Sequence, residues 1–67
     1  MTEVRYPNVT VELVGQDGNA LAIVAAVRQA MRRGGVSQDE QDAFMKEALS
    51  GDYDHLLQTV LRWVEVD

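Results

Sequence analysis

The residues best suited to chemistry are a histidine and two aspartates in the run DYDH. His55 is the only histidine in the sequence, and Asp52 and Asp54 come just before it. Imidazole and carboxylate groups can bind a divalent metal, but structural zinc sites usually need four protein ligands. Aspartates are equally typical of the start of a helix, where they stabilise the positive end of the dipole. The run therefore predicts helix capping, and a metal site centred on His55 is the weaker interpretation.

Nucleophilic catalysis has little basis in this sequence. There is no cysteine, so a nucleophile would have to be a serine, a threonine or a carboxylate with His55 as its base. No recognised local motif surrounds any of these residues. We therefore expect no catalytic residues, no cofactor and no metal, and we expect that the chain is not an enzyme.

A second candidate site is the short segment from Gln16 to Asn19. It is too short for an EF-hand calcium loop, and it lacks the lysine and glycine spacing of a P-loop. A tight turn with glycine at positive φ, followed by Asn19 as a helix N-cap, explains the same residues. A small-anion pocket at this helix start remains as an alternative.

Negative charge is concentrated in the middle of the chain. The sequence has 11 acidic and 6 basic side chains, for a formal net charge of −5, and residues 39–54 hold six carboxylates against the single cation Lys46. Such a surface repels phosphate backbones and attracts a basic partner. The predicted interaction surface consists of Asp39, Asp42, Asp52, Asp54, His55, Arg62 and Trp63.

Aromatic residues can anchor a binding surface of this kind. In so small a chain, however, Tyr53 is predicted to be a core residue. Trp63 fits either role, because it lies on the flank of its predicted helix.

A DNA-binding regulator is the alternative function. Residues 27–44 have the order of a helix-turn-helix, and a strand followed by two helices is the order of a ribbon-helix-helix repressor. In both cases the element that would meet DNA carries carboxylates, as at Glu12 of the strand. The only basic group consists of Arg28, Arg32 and Arg33. The helix dipole explains that group, so nucleic-acid binding is the less favoured prediction.

The chain is organised around a helix predicted for residues 19–33. Apolar side chains recur there with a period of 3.6 residues, at Ala20, Ile23, Val24, Val27, Ala30 and Met31. The opposite arc is mostly small and uncharged, and it contains Ala22, Ala25, Ala26, Gln29 and Arg33. A strand, another helix or the same helix of a second subunit can cover that arc. Asn19 caps the start, and Gly34 and Gly35 can adopt a left-handed cap at the end.

Before this helix, residues 1–8 are predicted to be a partly ordered arm and residues 8–14 a strand with alternating buried side chains. After it, residues 38–49 predict a second helix that begins with a capping box and carries an ion pair between Asp42 and Lys46.

A third helix follows, capped by Asp52. Its predicted apolar side holds Tyr53, Leu56, Leu57, Val60 and Val64, and its polar side holds His55, Gln58, Thr59 and Arg62. Residues 63–67 alternate again and predict a short strand, with a helix continuing to the end as the alternative.

Together these elements predict a small α+β fold in the order strand, helix, helix, helix, short strand. The helices pack around the central helix, the two strands form a minimal pair, and residues 9–67 make one domain after the arm. A chain this short without cysteine has few ways to gain stability, so we expect a homodimer. Without a secretory signal or an apolar segment of roughly 20 residues, we expect a cytoplasmic protein that does not bind membranes.

Two stretches of the chain resemble a known family. GQDGNALAI at residues 15–23 and SGDYDHLLQTVLRWVEV at residues 50–66 are similar to parts of a family of small acidic proteins from bacterial and phage genomes. The resemblance covers residues 9–66, and it implies no activity, cofactor or partner, because the family is described only as hypothetical. With the charge pattern, it favours a protein-interaction module, an accessory protein of phage type that binds a basic partner through an acidic surface.

Overall fold

The computed structural model describes residues 4–12 and 19–66. The elements follow one another as β1 (Tyr6–Val11), α1 (Ala20–Arg33), α2 (Gln38–Ala48), α3 (Tyr53–Trp63) and β2 (Val64–Val66). This is the predicted α+β order, and residues 64–66 form a strand and do not extend the third helix. β1 starts at Tyr6, so Tyr6 and Pro7, assigned only to the arm from the sequence, belong to the strand. The predicted strand end and turn at residues 13–18 lie outside the described residues.

The two strands form a parallel two-stranded sheet. Tyr6 pairs with Val64 and Val11 with Val66, with an irregularity in the register between them. Parallel strands need a long crossover connection, which the three helices provide here. Because an isolated two-stranded pair is only marginally stable, the sheet depends on the helices packed against it.

α1 contacts β1, α2 and α3, while α3 contacts α1, α2 and β2, so the two helices share the centre of the fold. The buried residues of α1 are Ile23, Val24, Val27 and Met31, which confirms the predicted core face. Burying each of these side chains stabilises the fold by about 1.5 to 3 kcal/mol. Among the described residues, no helix has the length and hydropathy needed to cross a membrane.

Both ends of α1 have the predicted caps. The Asn19 side chain accepts a hydrogen bond from the backbone N–H of Leu21 at 2.9 Å. At the other end, the N–H of Val36 donates to the carbonyl of Met31 at 3.0 Å, and Gly35 has a φ of +82°. This is the left-handed helix ending that favours glycine.

α2 starts with the predicted serine N-cap, because Ser37 Oγ accepts from the Glu40 N–H at 3.4 Å. The second half of the capping box is not formed, because the Glu40 carboxylate accepts from Tyr6 and pairs with Arg5 instead.

The expected ion pair between Asp42 and Lys46 is not formed. Asp42 instead accepts a hydrogen bond from Arg28 of α1 at 3.2 Å. Asp42 therefore links two helices rather than two turns of one helix.

α3 is rotated relative to the prediction. Its buried residues are Leu56, Thr59, Val60 and Trp63, whereas Tyr53 is 41% and Leu61 55% exposed. The prediction of a buried Tyr53 and an exposed Thr59 is wrong, because the side of α3 that the rest of the fold covers includes Thr59 and Trp63 but not Tyr53. Thr59 tolerates burial because its hydroxyl donates to the carbonyl of His55 at 2.8 Å.

Candidate interaction surfaces

The four aspartates of the predicted acidic surface are all exposed, but their roles differ. Asp42 is neutralised by Arg28. Asp52 accepts from the backbone N–H of His55 at 2.8 Å, and Asp54 accepts from Gln58 at 3.2 Å. Within residues 4–12 and 19–66, none of Asp39, Asp52 and Asp54 forms a salt bridge. These three side chains keep their negative charge facing solvent.

His55 is a bridging residue and not an exposed contact residue. Its ring is half-buried, and Nε2 lies 2.9 Å from the carbonyl oxygen of Glu47. A carbonyl can only accept, so Nε2 carries the proton that makes this bond. The bond joins the start of α3 to the end of α2. In the described parts of the chain, no three His, Cys, Asp or Glu side chains are grouped so that they could hold a metal ion.

Trp63 belongs to the core, which corrects its assignment to the interaction surface. It is only 6% exposed, its ring meets Phe44 edge-on at 5.6 Å, and Nε1 donates to Glu47 at 2.6 Å. Arg62, the neighbouring residue in the predicted surface, is exposed at the end of α3, and its carbonyl accepts from the N–H of Arg5 at 3.0 Å.

A polar cluster that the sequence did not reveal joins β1 to α2. Glu40 Oε1 accepts from the Tyr6 hydroxyl at 2.6 Å and forms a salt bridge with Arg5 at 2.7 Å. The Arg5 guanidinium lies 4.5 Å from the centre of the Trp63 ring, within range of a cation–π interaction. The hydrogen bond to Glu40 raises the pKa of Tyr6 above its ordinary value. No local signal relates Tyr6 to Glu40, because 34 residues separate them.

The segment that joins α2 to α3 carries two exposed large apolar side chains and two exposed carboxylates. Leu49 is 43% exposed and Tyr53 41% exposed, and Asp52 and Asp54 flank Tyr53 in the chain. We call these four residues the corner surface. The sequence did not reveal its apolar half, because Tyr53 was assigned to the apolar side of the third helix and Leu49 only to the end of the second.

The small-residue arc of α1 is the second candidate surface. It is a shallow depression of about 640 Å³ lined by Ala22, Ala25, Ala26, Arg28, Gln29 and Arg32, with Gln41 of α2. We call it the arginine–alanine face. The sequence suggested that a strand or helix can cover this arc, but Ala25 and Gln29 are exposed.

The chain matches no protein-family model, and comparisons with curated proteins and with solved structures found no match. The similarity to small acidic bacterial and phage proteins stays a prediction, as does the homodimer. Function is therefore inferred from the two surfaces themselves.

Proposed function

We propose that this protein is a non-enzymatic interaction module that binds a basic segment of a partner protein through the corner surface. The observation that carries the proposal is the exposure of Tyr53, at 41%, between the carboxylates of Asp52 and Asp54. Tyrosine is enriched among the residues that dominate binding energy at interfaces. An aromatic anchor with an acidic rim suits a segment that carries an apolar side chain beside lysines or arginines.

The charge of the molecule favours the same class of partner. A formal net charge of −5 attracts a basic protein over distance and raises its association rate, most strongly at low salt. Asp39 adds a further exposed carboxylate on α2. In a phage or bacterial setting, we propose that the module acts as an accessory protein on a basic host protein.

The corner surface is held in place by the hydrogen bonds beneath it. Asp52 caps α3, while His55 and the Ser50 hydroxyl both bond to the Glu47 carbonyl, at 2.9 and 2.6 Å. The backbone that carries Tyr53 is therefore held in place before a partner binds. A preorganised surface loses less conformational entropy on binding, which favours affinity.

The test uses a fluorescein-labelled peptide of alternating lysine and leucine, with fluorescence anisotropy as the readout. We expect Tyr53→Ser to weaken binding about tenfold or more, as for an interface hot spot. Asp54→Asn should weaken binding less and should also reduce its salt dependence, because one charge–charge contact is lost.

Leu21→Ser is the matched control, because Leu21 is 66% exposed on α1 and belongs to neither candidate surface. It should bind the peptide as the unaltered protein does. A Leu21→Ser effect equal to that of Tyr53→Ser, or equal binding of a glutamate–leucine peptide, would show that the corner surface is not a specific site.

A further inference from the structure

We propose that the arginine–alanine face binds an acidic α-helix of a partner protein, which lies antiparallel to α1. This surface is separate from the corner surface and carries the opposite charge. The proposal therefore does not depend on the proposed function.

The shape of the face suits a helix. Ala22, Ala25 and Ala26 place only methyl groups on this side of α1, and Ala25 is exposed. Small side chains let two helix backbones approach to about 8 Å, the short end of the usual range. A partner helix can then bury apolar side chains on the alanines while its polar residues reach the surrounding arginines.

The charge of the face selects an acidic helix. Arg28 and Arg32 are one turn apart on α1, and both line the depression. α1 itself contains no carboxylate, and within residues 4–12 and 19–66 Asp42 is the only acidic residue in a salt bridge with this group. Carboxylates spaced one turn apart on a partner helix would match the spacing of Arg28 and Arg32.

Arg28 also has unused hydrogen-bonding capacity. One amino group donates to the exposed Asp42 at 3.2 Å, and the other meets the Met45 sulfur at 3.4 Å. A thioether is a weak acceptor, and Nε of Arg28 is buried without any partner in the described structure. Rotation of the side chain would offer Nε and an amino group together to an incoming carboxylate, in the bidentate geometry that arginine favours.

The helix dipoles set the direction of docking. Acidic residues are favoured at the start of a helix, and Arg28 and Arg32 lie in the second half of α1. The start of the partner helix therefore lies beside the end of α1.

The test uses a labelled helical peptide of about 18 residues, long enough to be partly helical alone, with glutamates at i and i+4 beside an alanine–leucine face. The control peptide has the same composition in scrambled order. We expect the ordered peptide to bind more tightly, and Arg32→Glu to weaken binding about tenfold. Ala25→Gln, which fills the space between the backbones, should weaken it similarly. Lys46→Glu makes the same charge change on an exposed part of α2 and should have little effect.

Three outcomes would overturn the proposal. The first is equal binding of the ordered and scrambled peptides, or equal losses from Lys46→Glu and Arg32→Glu. The second is self-association in light scattering that Ala25→Gln abolishes, because a second copy would then cover the face. The third is salt-sensitive binding of duplex DNA that is lost with Arg32→Glu, because the face would then serve a nucleic acid.

Discussion

Trp63 and Glu47 are joined by a 2.6 Å hydrogen bond from the indole Nε1 to a carboxylate oxygen. This bond fixes the end of α3 against α2 at the point where the chain passes into β2. Since β2 begins at Val64, the position of the indole also determines where the second strand meets the first. The aromatic residue that the sequence offered as a possible binding anchor is thus a structural link.

The first prediction concerns this link. Trp63→Phe keeps an aromatic ring against Phe44 but removes the N–H donor and part of the buried area. We expect a loss of about 1 to 3 kcal/mol in the free energy of unfolding, measured by urea denaturation followed by circular dichroism. Glu47→Gln retains an acceptor at an exposed position, so it should lower the free energy of unfolding by less than Trp63→Phe does. Equal losses from the two variants would contradict a core role for the indole.

The second prediction concerns the pKa of Tyr6, which the bond to Glu40 raises above 10.0. The folded state therefore holds the phenol proton more tightly than the unfolded chain does. This stabilisation is complete below pH 10 and is lost as the pH rises through the higher folded-state pKa. In a Tyr53→Phe background Tyr6 is the only phenol, and Glu40→Gln should lower its pKa, measured by phenolate absorbance. An unchanged titration would mean that the hydroxyl does not bond to Glu40 in solution.

The third prediction concerns the turn after α1. Gly35 has a φ of +82°, and a Cβ placed there meets no atom within 4 Å. Only backbone strain therefore opposes substitution, and Gly35→Ala should destabilise the fold by about 1 to 2 kcal/mol. Gly35→Asn is the control, since asparagine tolerates this conformation better. If both variants melt at the temperature of the unaltered protein, the left-handed turn is not formed in solution.

The fourth prediction separates a structural His55 from a metal-binding one. His55→Ala removes the bond to the Glu47 carbonyl and should lower the free energy of unfolding by about 1 kcal/mol. Zinc and a chelator should each leave the melting temperature of the unaltered protein unchanged. A zinc-dependent rise that His55→Ala abolishes would show that the imidazole is a ligand.

The features predicted correctly from the sequence have local causes. Asn19, Ser37 and Asp52 each bond to a backbone N–H two or three residues later, so a short pattern contains the whole interaction. The core face of α1 follows a helical period over its full length. Both kinds of signal can be read without knowing how distant segments meet.

The features that were missed depend on distant segments. Tyr6 and Glu40 belong to different elements, and nothing near either residue specifies the other. The rotation of α3 has a similar origin. Thr59 is covered while Tyr53 remains exposed, and which side of α3 is covered depends on elements distant from it in the chain. The exposed Tyr53 of the corner surface can be recognised only when the buried side of α3 is known.

The most direct test of the proposed function is an amide chemical-shift titration of isotope-labelled protein with the lysine–leucine peptide. The proposed function predicts that the largest shifts fall on residues 49–54, with the amides along α1 nearly unchanged. Shifts spread evenly over the surface, or largest outside residues 49–54, would contradict binding through the corner surface.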